Sequence, residues 1–228
     1  MATITLNLHD VRSRISQACS AAQRPVDSVT LLAVSKTFPG SAVREAHAAG
    51  QRQFGENYVQ EALDKISELA DLRAELTWHL IGPLQSNKTR PVAEAFDWVQ
   101  SIDRLKIAER LSEQRPAHLP PLQVCIQVNT SGEDSKSGVA PVEALSLAKA
   151  VAALPRLTLR GLMALPAPSE DPQVQRQALH DVRELFNTLR GDGLPLDTLS
   201  MGMSADLEPA ILEGATLVRV GTALFGRR

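Results

Sequence analysis

The chain has 228 residues, and its 24 Lys and Arg against 26 Asp and Glu give a net charge of −2. This length suffices for one α/β domain with a large core, and the lack of a basic surplus argues against nucleic acid or an anionic membrane as the main partner. No apolar stretch approaches the ~20 residues that a membrane span needs. The N-terminus does not resemble a signal peptide, and Cys19 and Cys125 form no C-x-x-C pair. We therefore expect a soluble, cytoplasmic protein.

Short apolar runs alternate with amphipathic ones along the chain. The N-terminal segment places Leu8, Val11 and Ile15 on one face of a helix. Helices separate the later apolar runs, one of them with Asp103 as its N-cap and another beginning at Pro141. Between the helices the pattern predicts eight strands, at 29–35, 52–55, 77–81, 97–101, 122–128, 157–163, 196–200 and 216–220.

The alternation of strands and helices predicts a single α/β domain over 1–228. Eight parallel strands are the number that closes a (β/α)8 TIM barrel. Only 224–228 follow the last strand, so we expect the extra N-terminal helix to cover the place of an eighth helix. An open doubly wound sheet is the alternative, but its G-x-G-x-x-G motif is missing from the first strand-to-helix turn.

Lys36 closes the first apolar run and is followed by the strand-breaking residues 37–40. In a barrel this position lies on the rim at the carboxyl ends of the strands, where catalytic and binding residues are found. An amine held there on an apolar stem loses solvation of its charged form and becomes available to aldehydes, including that of pyridoxal phosphate (PLP). From this segment alone, a solvated surface lysine is the alternative.

The turns after strands seven and eight commonly form a phosphate site in such barrels. Ser200 and Thr222 supply hydroxyl groups in these turns, and Gly202 and Gly221 allow an anion to approach the backbone. The alternative is that both glycines only make tight turns.

Arg219 ends the last strand and needs a partner if its side chain points inward. A PLP pyridine nitrogen would be one such partner. A salt bridge to Glu56 or Asp206 is the alternative.

Several motifs together resemble the YggS/PROSC family of pyridoxal phosphate homeostasis proteins, which share the barrel of the alanine racemase N-terminal domain. The motifs lie at 32–36, 54–61, 78–88, 200–204 and 218–222. The resemblance implies that Lys36 holds PLP as an aldimine (a Schiff base) and that Arg219 faces the pyridine nitrogen. It also implies that the phosphate is bound by Ser200, Gly221 and Thr222, with Asn57 beside the cofactor.

Three positions depart from the family pattern. Phe38 stands where many members have a second lysine, and Leu80 replaces a bulkier side chain. Pro209 requires the helix after the seventh strand to begin near Asp206. That start leaves Ser204 in a looser turn, which argues against Ser204 as a phosphate ligand.

Two further residues have competing interpretations. His79 is either a proton donor at a strand end or a histidine whose ring nitrogens are satisfied in the interior, and we favour the second. Lys136 lies in a loop over the rim and either contacts an anion or is solvated, which we favour.

The resemblance predicts a protein that holds PLP for PLP homeostasis, without dedicated catalytic turnover. We expect its partners to be PLP and PLP-accepting apo-enzymes. The alternative is a fold-type III PLP enzyme such as an amino-acid racemase, and a weaker one is a barrel that binds another phosphate ester. A racemase needs a base on each face of the cofactor, and Lys36 supplies only one. No accessory β-rich domain follows the last strand, and we expect a monomer.

Overall fold

In the computed structural model, which describes residues 3–130, 137–167, 169 and 171–226, eight parallel strands close into a barrel in chain order. The predicted TIM barrel is confirmed, with strand boundaries shifted by two residues at most. The closure is visible at β1, which pairs with both β2 and β8. The strands are β1 Thr30–Val34, β2 Gln53–Glu56, β3 Thr77–Leu80, β4 Trp98–Ile102, β5 Leu122–Val128, β6 Leu157–Ala164, β7 Thr198–Ser200 and β8 Leu217–Val220.

Helices follow the strands on the outside of the barrel. They are α1 Ile4–Ala21, α2 Gly40–Ala48, α3 Val59–Glu68, α4 Thr89–Ala95, α5 Leu105–Gln114, α6 Pro141–Ala152, α7 Pro172–Gly191, α8 Leu207–Leu212 and α9 Thr222–Phe225. None of the helices in these ranges has the length and apolarity to span a membrane.

Two of the predicted helix starts are confirmed and one is wrong. Helix α6 begins at Pro141, and α8 begins directly after Asp206, so that Pro209 lies in the first turn. Asp103 does not cap α5, because the N-cap position falls one residue later, on Arg104. The Asp103 carboxylate instead accepts a hydrogen bond of 2.9 Å from the Arg104 side chain.

Helix α1 covers the seam between the last and the first strand, as expected. Its buried face includes Leu8, Val11 and Ile15, and it packs against α2, α8 and α9. Polar contacts fix its position, since Arg14 Nε lies 2.7 Å from Glu208 Oε1 and Asn7 Nδ2 donates to the Leu224 carbonyl at 2.8 Å. The N-terminal helix therefore completes the shell where α9 is too short to do so.

A chain of hydrogen bonds crosses the inside of the barrel. Arg219 Nη1 donates to Ser200 Oγ at 2.7 Å, and Ser200 Oγ donates to Gln100 Oε1 at 2.6 Å. Gln100 Nε2 lies 3.0 Å from His79 Nδ1, while His79 Nε2 lies 2.7 Å from Gln53 Oε1. The bond between Gln100 on β4 and Ser200 on β7 joins strands that are not neighbours, so it passes through the interior.

This chain fixes the proton on His79. An amide nitrogen only donates, so His79 Nδ1 accepts from Gln100 and Nε2 carries the hydrogen that Gln53 accepts. The ring is fully buried and stacks on Trp98 with centroids 5.0 Å apart. Burial lowers the pKa of His79 to about 3, so the ring is neutral at physiological pH. His79 is thus the satisfied interior histidine that the sequence favoured.

The variant His79→Gln should make the free energy of unfolding less dependent on pH under mildly acidic conditions. The unfolded chain takes up a proton on His79 below pH ~6.5, whereas the folded chain does so only near pH 3. Between these values, the unfolding free energy of the wild type should fall by up to ~1.4 kcal/mol per pH unit more than that of the variant. Urea unfolding at pH 7, 6 and 5 measures the difference, with the exposed His9→Gln as control. Parallel profiles for wild type and His79→Gln would contradict this assignment.

Candidate functional site

The carboxyl ends of the strands enclose a cavity of about 310 Å³. Its lining combines apolar side chains, such as Val34, Ile81 and Leu165, with groups that donate hydrogen bonds. The polar part of the lining includes Lys36, Asn57, Ser204, Arg219, Gly221 and Thr222. Five of the six predicted site residues therefore meet around one cavity, although they come from β1, β8 and the turn after β2.

Lys36 lies two residues beyond the end of β1 and is half-buried. Alternation along the strand explains its direction, because Val34 also lines the cavity while Ser35 between them is buried on the other side. The turn that follows contains Thr37 with a φ of +64°. Phe38 then packs against Phe225 in a tilted arrangement with ring centroids 5.1 Å apart, so it ties the loop after Lys36 to α9. Phe38, which departs from the expected family pattern, thus has a packing reason.

Arg219 is 4% exposed and is held from the side away from the cavity. Its Nη1 donates to the Ser200 carbonyl at 2.8 Å as well as to the Ser200 hydroxyl, and its Nη2 donates to the Ala164 carbonyl at 2.8 Å. Burial lowers the pKa of Arg219 to about 10, which still leaves the group cationic at neutral pH. The guanidinium is thus fixed in orientation while it keeps its charge.

Neither of the two carboxylates that were alternative partners of Arg219 forms an ion pair with it among the described contacts, although the charge of Asp206 acts to raise the pKa of Arg219. Glu56 Oε1 lies 2.6 Å from Lys65 Nζ, and Asp206 Oδ1 accepts a bond of 2.6 Å from the Met203 N–H. The described contacts therefore favour the cavity-facing role of Arg219 over a salt bridge at the rim.

The loops after β7 and β8 meet at one end of the cavity. Ser204 Oγ accepts from the Ala223 N–H at 3.5 Å, and the Ser204 carbonyl accepts from Arg14 at 3.0 Å. Gly221 lies close against β1, where an added Cβ would be 3.2 Å from the Val34 carbonyl oxygen. This contact gives the glycine a packing reason in addition to the tight turn.

Ser200 is placed differently from its predicted role. Its hydroxyl is fully buried and already donates to Gln100 and accepts from Arg219, one layer below the cavity. The reason is that β7 ends at Ser200 with its side chain inside the barrel, and the chain reaches the cavity only after Gly202, whose φ is +91°. The hydroxyl that lines the cavity from this loop belongs to Ser204, which the sequence had argued against.

Asn57 contributes an acceptor without a described partner. The residue is half-buried, and its Oδ1 is a buried atom that makes no hydrogen bond among the described residues. Gly82 packs against its backbone so closely that an added Cβ would lie 2.1 Å from the Asn57 carbonyl oxygen. An acceptor at the cavity wall suits a ligand that carries a hydroxyl group.

Sequence reasoning missed an ion pair that lies directly behind Lys36. Lys65 on α3 and Glu56 at the end of β2 are 4% and 0% exposed in their side chains. Burial raises the pKa of Glu56, and the opposing effect comes from Lys65 and from the Ser35 hydroxyl, which donates to Glu56 Oε1 at 2.6 Å. The signal in the sequence is weak: Lys65 follows Glu61 by four residues, a spacing that usually marks an exposed pair.

Lys136, for which the sequence favours a solvated position, lies outside the described residues. No cluster of metal-ligating side chains occurs within the described ranges.

Known proteins resemble the chain over nearly its full length. The alanine racemase N-terminal domain family matches residues 6–228. A protein of Pseudomonas aeruginosa PAO1 named pyridoxal phosphate homeostasis protein is 64% identical, and the match covers 100% of this chain and 97% of that protein. A protein of the same name from Escherichia coli K12 is 56% identical, with coverage of 100% and 98%.

Solved structures agree with these matches. PipY of Synechococcus elongatus PCC7942, solved with PLP bound, superposes with a TM-score of 0.86 at 40% identity and covers 98% of this chain and 100% of its own. An alanine racemase of Clostridium difficile 630 gives a TM-score of 0.79 at 12% identity, with coverage of 99% of this chain and 57% of its own, and this similarity shows the fold alone. The chain belongs to the family of pyridoxal phosphate homeostasis proteins, which its motifs indicated before its structure was known.

Proposed function

We propose that this protein binds PLP in the rim cavity and takes part in PLP homeostasis without dedicated turnover of a substrate. One observation carries the proposal: Lys36, Arg219 and the hydroxyl groups of Ser204 and Thr222 converge on a single cavity of about 310 Å³. An amine, a guanidinium and a cluster of hydrogen-bond donors are together suited to an anionic aldehyde.

Each part of the lining has a counterpart on PLP. The Lys36 amine is the nucleophile for the aldehyde, while Ser204, Gly221 and Thr222 hold the phosphate. Arg219 donates to the pyridine nitrogen, and Asn57 Oδ1 accepts from the ring hydroxyl. When bound, PLP supplies an aldehyde that condenses reversibly with primary amines.

The fixed charge of Arg219 argues against chemistry that needs a protonated pyridine ring, such as transamination, whereas racemases of this fold tolerate it. A guanidinium with a pKa of about 10 remains a donor at neutral pH, so a pyridine nitrogen beside it is not protonated. An unprotonated ring withdraws electrons less effectively from a neighbouring carbon. The buried hydrogen-bond chain behind Arg219 keeps the guanidinium in this role.

A fold-type III racemase is the second candidate, because the barrel resembles that of alanine racemases. Racemisation needs a base on both faces of the cofactor. Among the described residues that line the cavity, Lys36 is the one amine, and the neutral His79 lies below in the barrel interior. The described lining therefore favours the non-catalytic candidate.

A second cavity of about 320 Å³ adjoins the first and shares Asn57, Ile81, Leu165 and Met203 with it. It leaves room next to the first cavity for an incoming amine, and we infer that apo-enzymes receive PLP from this side. Within this proposal, residues 1–228 act as one PLP-binding domain and as a monomer in the cytoplasm. Both cysteines are free and buried, which suits a reducing compartment.

Lys36 should be the residue that carries the cofactor. Purified protein incubated with PLP should absorb in the visible range, and borohydride should attach a pyridoxyl group to the peptide that contains Lys36. Lys36→Ala should abolish both the absorbance and the label, whereas Lys149→Ala, at an exposed position, should leave both unchanged. Mass spectrometry of the digested protein locates the label, and a label on Lys65 or Lys88 would refute the assignment.

The phosphate contacts should be visible as a difference between PLP and pyridoxal. Charge-assisted hydrogen bonds contribute about 1.5–3 kcal/mol each, so losing several should weaken binding at least ~100-fold. Ser204→Ala should raise the Kd for PLP by ~10-fold and leave that for pyridoxal unchanged. Fluorescence titration measures both constants. Equal affinities for PLP and pyridoxal in the wild type would remove the phosphate site from the proposal.

Amino acids should not be turned over. Without a second positioned base, the rate should fall 10²–10⁴-fold below that of an enzyme which has one. The PLP-loaded protein is incubated in deuterated water with L- and D-alanine, serine, lysine and ornithine, and exchange at Cα and product formation are followed by NMR. Sustained conversion of any of them, abolished by Lys36→Ala, would establish the racemase-like candidate instead.

A further inference from the structure

The peptide groups on both sides of Lys36 are bonded to helix α3. The Ser35 carbonyl accepts a hydrogen bond of 2.8 Å from Lys65 Nζ. The Thr37 N–H donates to Glu61 Oε1. Two residues one helical turn apart on α3 thus hold the carbonyl before Lys36 and the amide after it.

All three N–H donors of the Lys65 ammonium group have acceptors. An ammonium group has three N–H donors, and Lys65 Nζ lies 2.6 Å from Glu56 Oε1 and 3.2 Å from Glu61 Oε1 in addition to its bond with Ser35. Glu56 in turn accepts from the Ser35 hydroxyl at 2.6 Å. The three side chains Glu56, Glu61 and Lys65 are here called the α3 clamp. Lys65 and Glu56 bond to the carbonyl and hydroxyl groups of Ser35, and Glu61 accepts from the Thr37 N–H.

The location of the α3 clamp indicates that it does more than stabilise the fold. A buried ion pair of a lysine and a glutamate loses much of its Coulomb energy to desolvation, and an apolar pair of similar volume often stabilises a fold as well. This pair lies outside the barrel wall, between α3 and the ends of β1 and β2. Its hydrogen bonds end on the short segment that contains Lys36, so the polar groups secure a local conformation.

That conformation is one the backbone does not adopt readily. Thr37 has a φ of +64°, in the left-handed region that a β-branched residue avoids. Such strain persists where surrounding contacts impose it, and it is found at functional sites. The contact with Glu61 acts on the amide of this same residue. Release of the clamp would let the turn relax and carry Lys36 away from its place in the cavity lining.

We propose that Glu56, Glu61 and Lys65 are positioning residues that aim the Lys36 amine into the cavity, without touching the cofactor themselves. This inference rests on the proposed function in that the amine is aimed at an aldehyde. These three residues affect how fast Lys36 reacts with the aldehyde, and not how tightly the cavity binds its ligand.

The test separates covalent capture from binding. Pyridoxine 5′-phosphate has the ring and phosphate of PLP but no aldehyde, so its Kd reports the cavity alone. The rate at which borohydride traps PLP on Lys36 reports the position of the amine. Hydrogen exchange at the Thr37 amide, measured without ligand, reports whether the turn after Lys36 keeps its conformation.

Glu61→Ala is the first variant, since Glu61 is partly exposed and alanine favours a helix. It should slow trapping at least ~10-fold and expose the Thr37 amide to exchange, while the Kd for pyridoxine 5′-phosphate changes less than ~3-fold. Glu61→Gln keeps an acceptor oxygen for Thr37 and should restore most of the rate. Lys149→Met breaks an exposed pair with Asp192 and should change none of the three readouts.

The buried pair is tested by the double variant Glu56→Gln/Lys65→Met, which leaves no unpaired charge in the interior. A folded double variant should lose trapping rate as Glu61→Ala does. If it fails to fold, the Glu61 variants decide the matter alone.

Wild-type trapping and exchange rates in Glu61→Ala would overturn the inference, and so would a loss of trapping matched by an equal loss of pyridoxine 5′-phosphate affinity. If the wild type is not labelled at Lys36, the proposed function fails, and Thr37 exchange still decides whether α3 holds the turn.

Discussion

A cation buried inside the barrel sets the arrangement of the interior. The Arg219 guanidinium has almost no contact with solvent, so its N–H groups must find acceptors in the protein. Carbonyls of Ser200 and Ala164 provide two, and the Ser200 hydroxyl provides a third. Because that hydroxyl accepts from Arg219, it donates its own hydrogen to Gln100. The Gln100 amide is thereby oriented so that its nitrogen donates to His79. The polar interior is therefore the consequence of one charge that has to be satisfied.

A second buried cation acts on the opposite side of the barrel wall. Lys65 lies outside β1 and β2, whereas Arg219 lies inside, and the segment that contains Lys36 runs between the regions they organise. Each cation is bonded to backbone carbonyls as well as to side chains, so each fixes the course of the chain near the cavity. In the function proposed for this protein, these two charges fix the geometry of the site and Lys36 supplies its chemistry.

The fixed orientation of the groups around the cavity also explains why it suits a bound cofactor. Groups with fixed orientation surround it: Arg219 is held by three acceptors, and Ser204 is held between α1 and the turn after β8. Preorganised donors lower the cost of ordering a ligand. Apolar side chains such as Val34 and Ile81 form another part of the lining. Such a lining suits the binding of an anionic ring.

The residue pattern was enough to predict the barrel, the rim that carries the site and three central residues of that rim. Alternation of apolar runs and amphipathic helices is a local property, and strand ends of a parallel barrel always meet at one rim, so Lys36, Arg219 and Thr222 could be placed there from the pattern alone. The tertiary structure alone decided which serine reaches the cavity. The left-handed turn at Gly202 and the depth of Ser200 inside the barrel depend on contacts between distant strands. It also decided the partners of Lys65 and the neutral state of His79, because burial and pairing of a charge follow from packing that no single stretch of sequence contains.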